Sequence, residues 1–230
     1  MVDTLLFDLD GTLIDSLDDL HYCCTETFKT LGLEPITREQ VALFIGKGAR
    51  VLVQKALHAR LGQEPSEEFV ERALQEYLRA MAVDDGRYSK LEPFIEDSLA
   101  KLKSHGFTMA VVTNKTQSIA VDTLKRFKLD GYFGAIVGAG DAPHKPAPDM
   151  LILAARKLGR PLKQCVMIGD SMNDALAARN AGIGSCLLRT GYNEGMDIDL
   201  WAKTYSQGTP VFDTMRELSD YLIEQKRSLP

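Results

Sequence analysis

The chain has 230 residues, 45% of them hydrophobic, and a formal net charge of −5. That length can bury one good core, or a core with a smaller insertion. The negative balance, with no dense run of Lys and Arg, argues against a nucleic-acid backbone as the main partner. No apolar stretch approaches the roughly 20 residues of a membrane helix. Met1 leads directly into a strand-like segment holding Asp3, Asp8 and Asp10, with no basic-then-apolar leader. The expectation is a cytoplasmic protein with no membrane partner.

Thr4–Leu9 is a short apolar run that ends in acid and then glycine, the pattern of a buried strand with a sharp exit. Ser16 with Asp19 reads as a capping box, and Leu17, Leu20, Cys24, Thr27, Phe28 and Leu31 recur at helical spacing up to Gly32. Thr37 with Gln40 repeats the box. Val51, Leu52, Ala56 and Leu57 mark a third helix. Phe69, Val70, Ala73, Leu74, Tyr77, Leu78 and Met81 trace the face of a fourth. Residues 16–85 are therefore expected to be all-helical.

After Tyr88 strands and helices alternate. A helix is expected from Phe94 to His105, a strand over Phe107–Thr113, a helix over Ser118–Phe127 and a short strand at Ala135–Val137. Then come a helix over Met150–Leu158, a strand over Cys165–Ile168, a helix over Met172–Ala181 and a strand over Ser185–Leu188. A final helix capped by Asp213 runs through Leu222. This alternation implies an α/β fold with a doubly wound parallel sheet. The expected organisation is a core of residues 1–15 and 86–230, with a helical cap domain of residues 16–85 inserted after the first strand.

Cys23, Cys24, Cys165 and Cys186 form no Cys-x-x-Cys pair and have no zinc-like histidine spacing, so they read as buried free thiols. His21, His58 and His105 read as helix-surface residues, and Trp201 as packed against the core.

Ligands of open parallel sheets bind at the carboxyl ends of the strands, and four strand ends here carry polar groups. They are Asp8-Leu9-Asp10-Gly11-Thr12, Thr113-Asn114-Lys115, His144-Lys145-Pro146 and Gly169-Asp170-Ser171-Met172-Asn173-Asp174. Asp8 and Asp10 stand two apart, so an extended backbone turns both carboxylates to one side. Asp170 adds a third acid. Like charges this close need a cation between them, and hard oxygen donors suit Mg²⁺ with a substrate phosphate. Lys145, the Thr113 hydroxyl and the amides of Gly11 and Thr12 can meet phosphate oxygens. Together these parts describe phosphoryl transfer to an aspartate.

These four segments resemble the motifs of the haloacid dehalogenase superfamily over essentially the whole chain, and the helical insertion is similar to that superfamily's first type of cap. The resemblance implies Asp8 as nucleophile, Asp10 as general acid and then base, and Thr113, Asn114 and Lys145 around the phosphoryl group. It also implies Mg²⁺ held by Asp8, Asp170 and the Asp10 backbone carbonyl, with Asp174 in support. Dehalogenation is not expected, because the dehalogenating members lack an acid at the position of Asp10. Ile45-Gly46-Lys47-Gly48-Ala49-Arg50-Val51-Leu52 resembles the cap segment of phosphoglycolate phosphatases. Gly191-Tyr192-Asn193 resembles a late loop of the same group, although by itself it reads as a surface turn. Lys47 or Arg50 would then meet the substrate carboxylate, with Arg50 favoured for its planar fork. Two departures stand out: Glu92-Pro93-Phe94 replaces a usual Tyr-Pro-Gly, and His144 precedes Lys145 where Arg or Pro is common.

The expected activity is hydrolysis of a small phosphorylated metabolite, 2-phosphoglycolate foremost. Alternatives are pyrophosphate, nucleotide or sugar-phosphate hydrolysis, a phosphosugar mutase, or a phospho-aspartate signalling domain. Receiver domains, however, are about half this length, carry no helical cap, and lack the second acid.

Overall fold

The computed structural model describes residues 2–84, 86–206 and 208–228. It opens with β1 (Thr4–Phe7) and β2 (Ile14–Asp15). Four helices follow: α1 (Leu17–Thr30), α2 (Arg38–Ala42), α3 (Ala49–Leu61) and α4 (Glu67–Asp84). β3 (Lys90–Leu91) then leads into α5 (Ile95–Ser104), β4 (Thr108–Thr116), α6 (Gln117–Arg126) and β5 (Ala135–Ala139). The chain continues through α7 (Asp149–Lys157), β6 (Cys165–Gly169), α8 (Met172–Ala181) and β7 (Gly184–Leu188). It ends with α9 (Ile198–Tyr205), β8 (Val211–Phe212) and α10 (Met215–Arg227).

The main sheet has the order β5-β4-β1-β6-β7-β8, and its pairings are parallel. Strand alternation explains its two buried faces. Leu5, Phe7, Met109, Val111 and Ile168 point to the side covered by α5, α6 and α10. Leu6, Ala110, Val112, Cys165 and Met167 point to the side covered by α7 and α8. β1 sits centrally, with β4 on one flank and β6 on the other, so the chain reverses its strand order at β1. The carboxyl end of β1 is the crevice where such sheets bind ligands.

Helices α1–α4 bury a separate apolar cluster around Cys23, Cys24, Phe28, Leu57, Ala73 and Tyr77. The connections into and out of this helical unit are hydrogen-bonded to each other, because β2 and β3 pair antiparallel with Ile14 opposite Leu91. The expected end of the helical segment, Asp85, lies outside the described residues. All four cysteines are free and buried, and burial pushes the Cys23 thiol up to about 12. Trp201 is 5% exposed in a small cluster with Ala175, Leu187 and Ile198.

Two expected caps need correcting. Thr37 and Gln40 form the reciprocal box, but Ser16 makes no side-chain cap. Asp19 instead accepts from the Tyr88 amide at 2.7 Å and from the Ser89 hydroxyl. These two amide and hydroxyl donors lie 69 and 70 residues away in sequence. The last helix is capped by Thr214, whose hydroxyl accepts from the Glu217 amide, and not by Asp213. Phe94 accounts for one departure in the sequence: it stands just before α5 with φ +66°, a backbone conformation that suits glycine and costs other residues about 1 kcal/mol. Its ring lies beneath the Arg216 guanidinium at 3.8 Å.

Candidate active site

Asp8 follows β1 directly. Its amide donates to the Ile168 carbonyl at 2.8 Å, which continues the β1–β6 ladder by one residue. The Leu9 amide donates back to Asp8 Oδ1 at 2.7 Å. Lys145, buried at 2% exposure, places Nζ 3.0 Å from Asp8 Oδ1 and 2.6 Å from Asp174 Oδ1. Asp174 is fixed from its own helix start, since its Oδ2 accepts from the amide and hydroxyl of Ser171.

Asp170 is held from two sides. The Thr12 hydroxyl donates to Oδ1 and the Tyr192 amide to Oδ2, each at 2.7 Å. Such approach requires glycine nearby. A Cβ on Gly11, whose φ is +85°, would stand 2.5 Å from Asp170 Oδ2, and one on Gly191 would stand 2.0 Å from the same atom. The Thr12 hydroxyl is therefore committed to Asp170, while the Gly11 and Thr12 amides donate to the Ile14 and Leu9 carbonyls at 2.8 and 3.3 Å, so the expectation that these two amides meet phosphate oxygens is corrected.

Asp8, Asp170 and Asp174 can bring one oxygen each within 4.8 Å of one another. Burial, and then the Asp174 charge, push Asp8 up to about 6 even though Lys145 pulls it down. Asp170 is pushed well above the usual carboxylate range by burial, Asp174 and Asp8. Burial would lower the Lys145 ammonium, but Asp174 and Asp8 outweigh it and raise its pKa. Three carboxylates against one ammonium leave two negative charges when all are ionised. A hard divalent cation is the ion that fits this oxygen set.

The Asp10 carboxylate does not join that group. It pairs instead with Lys115 Nζ at 2.9 and 3.2 Å, so the expectation that Asp8 and Asp10 turn both carboxylates toward one cation is corrected. Thr113, 1% exposed, accepts from the Lys115 amide at 3.2 Å and faces the cavity beside Asp8 and Asp10. Asn114 also departs from expectation. Its amide nitrogen donates to the carbonyls of Gly46 and Lys145 at 2.9 and 3.0 Å, and its oxygen accepts from the Lys145 amide at 2.8 Å. Both of its side-chain N–H donors are thus used, in placing Lys145 and in joining the helical unit to the sheet.

Residues 5–188 match the family described as haloacid dehalogenase-like hydrolase. The chain belongs to that family. It is 36% identical to a protein named phosphoglycolate phosphatase from Colwellia psychrerythraea, covering 98% of this chain and 97% of that one. It is 37% identical to phosphoglycolate phosphatase 1 from Pseudomonas aeruginosa, over 93% of this chain and 77% of the other. The crystal structure of a predicted phosphoglycolate phosphatase from Haemophilus somnus superposes with a TM-score of 0.84 at 30% identity, covering 96% and 98% of the two chains.

In this haloacid dehalogenase-like hydrolase the helical unit roofs a cavity of about 50 Å³. Asp8, Asp10, Thr113, Asn114 and Asp170 lie on the sheet side, and Leu20, Ile45, Leu52, Tyr77 and Met81 on the helical side. Neither Lys47 nor Arg50 lines it. Arg50 reaches outward to Glu67 and to Glu71, the latter at 2.9 Å, with its side chain 44% exposed. Lys47 pairs with Glu194 at 2.7 Å, and Lys55 holds the other oxygen of the same carboxylate at 2.7 Å. The expected carboxylate-binding role of both is therefore at odds with their placement. The Gly191-Tyr192-Asn193 loop is likewise no plain surface turn. The Tyr192 hydroxyl donates to Asp15 at 2.6 Å and accepts from the Leu17 amide at 3.2 Å, while its ring lines the cavity. Sequence reasoning missed Lys115 and Glu194. For Lys115 the available signal was its place directly after Thr113-Asn114 at a strand end.

Proposed function

We propose that this chain is a Mg²⁺-dependent phosphomonoesterase for 2-phosphoglycolate, working through a phospho-aspartyl intermediate on Asp8, with residues 1–15 and 86–230 as catalytic core and 16–85 as cap. The observation that carries the reading is the small, half-open cavity between sheet and cap with Asp8 and Asp10 on its floor. Its volume of about 50 Å³ equals roughly three to five water sites at ~10–15 Å³ each. A two-carbon leaving group suits that space. The names borne by full-length relatives point the same way.

The Asp8 carboxylate attacks phosphorus while Lys145 and the Thr113 hydroxyl hold the phosphoryl oxygens. Asp10 gives its proton to the departing glycolate oxygen. It then takes a proton from the water that hydrolyses the acyl phosphate, which returns Asp8 and releases phosphate. Lys115 steadies Asp10 between the two roles. Mg²⁺, with Asp8, Asp170 and the Asp10 carbonyl as ligands and Asp174 behind them, supplies charge neutralisation when bound. The apolar roof keeps bulk water out.

The test is phosphate release across a panel of small phosphate esters with and without Mg²⁺. The expected result is at least a tenfold preference in kcat/KM for 2-phosphoglycolate, loss of activity on chelation, and no turnover by a folded Asp8→Asn variant. Preference for pyrophosphate, a nucleotide or a sugar phosphate overturns the substrate. Single-turnover hydrolysis in heavy-oxygen water that labels phosphate without first labelling Asp8 overturns the mechanism.

A further inference from the structure

A cap without a cation in its cavity wall leaves open how a carboxylate-bearing leaving group is recognised. On the cap side the wall is formed largely by Leu20, Ile45, Leu52 and Met81, which offer a carboxylate nothing. Two polar features break that surface. One is Tyr77 on α4, which is 1% exposed and lines the cavity, and whose hydroxyl has no hydrogen-bond partner among the described residues. Burial holds this phenol well above its ordinary value, so it stays a neutral O–H donor. The other is the start of α3, a 13-residue helix whose N-cap is Gly48, with no side chain to satisfy the first amides. Gly48 and Ala49 face the same cavity, and free amides at a helix start favour an anion.

On the core side, Lys115 lines the cavity with its side chain only 8% exposed. Its ammonium is one hydrogen bond from Asp10. Asp10 must reach the ester oxygen to protonate it, and in 2-phosphoglycolate a single methylene separates that oxygen from the carboxylate carbon. A carboxylate so tethered falls beside whatever sits next to Asp10.

We infer that Lys115 from the core, together with the Tyr77 hydroxyl and the Gly48–Ala49 helix start from the cap, forms the subsite for the leaving-group carboxylate. This rests on the phosphoglycolate reading and replaces Arg50 in it. The subsite is complete only with the cap closed, because Tyr77 and α3 belong to the cap and Lys115 to the sheet.

Ethyl phosphate is the discriminating probe, since it matches 2-phosphoglycolate in length but lacks the carboxylate. Tyr77→Phe keeps the buried ring and removes only the hydroxyl, and an unchanged melting temperature verifies the fold. The expected result is a fall in kcat/KM for 2-phosphoglycolate of roughly tenfold or more, the worth of one hydrogen bond to a charged group, with ethyl phosphate unchanged. Lys115→Met is expected to slow both substrates through Asp10 and to slow 2-phosphoglycolate further. If the wild type prefers 2-phosphoglycolate and Tyr77→Phe leaves the preference ratio intact, the subsite is wrong and the substrate reading stands. If the wild type turns over both esters equally, the substrate reading fails and takes the subsite with it.

Discussion

Glu194 is the place to test whether the cap must be latched for catalysis. It lies in the core loop after Gly191-Tyr192-Asn193, with its side chain 14% exposed, and forms ion pairs with two cap lysines at 2.7 Å each. Asn114 bonded to the Gly46 carbonyl, and Tyr192 bonded to the Leu17 amide, are the neutral ties between the same two parts. Glu194→Gln keeps the shape and removes both ion pairs. Lys47 and Lys55 are 37% and 34% exposed, so each pair is discounted for solvent to ~0.5–1 kcal/mol. Losing both shifts the closed-to-open equilibrium by ~1–2 kcal/mol, roughly 5- to 30-fold. Substrate that is held only under a closed cap should then show KM raised up to that factor, with kcat kept or slightly increased. Steady-state kinetics at low and high salt is the assay. Wild-type KM should climb with added NaCl toward the variant's value, while the variant should respond little. A KM within twofold of wild type at low salt, with the same salt dependence, would falsify the latch.

Arg50→Ala should leave kcat/KM for 2-phosphoglycolate within about twofold, because Arg50 is spent on exposed pairs with Glu67 and Glu71; stability should drop by no more than ~1 kcal/mol. Glu92 is pushed up to about 7 by burial and then by Asp15. A raised carboxyl makes the folded state the tighter proton binder, so it costs stability increasingly as pH rises from about 4.5 to 7. Glu92→Gln should therefore match wild type in denaturant melts at pH 5 and exceed it by ~1 kcal/mol at pH 8, a solvent-discounted figure; equal gains at both pH values would point to packing instead. Phe94→Gly relieves a left-handed backbone worth ~1 kcal/mol and gives up ~0.5–1 kcal/mol of contact with Arg216, so stability should change little. Arg216→Ala should then destabilise the wild type but not the glycine variant, and equal losses in both would exclude the ring–guanidinium contact.

The doubly wound sheet and the catalytic floor were legible because they depend on short-range patterns. Apolar strands, helical periodicities and turn glycines fix where β1, β4 and β6 end, and parallel pairing then brings Asp8, Thr113 and Asp170 to one edge. Two-residue strands such as β2, β3 and β8 were not legible, since so short a segment is a strand only when a neighbouring edge accepts it. The partners of each polar group were hidden for the same reason. Asp10 and Lys115 are 105 residues apart, Lys55 and Glu194 are 139, and Tyr192 and Asp15 are 177. Local rules could even mislead, as when Asp19 left Ser16 for Tyr88 and Ser89, or when Arg50 stayed on the helix pair that carries it. Local sequence thus determined which residues could do chemistry and which strand ends would carry them. How the cap lies over the sheet was decided by tertiary packing, and with it the size of the cavity, the role of Lys47 and the position of Tyr77. A carboxylate or an ammonium takes the nearest partner that folding supplies, and sequence separation has no bearing on that distance.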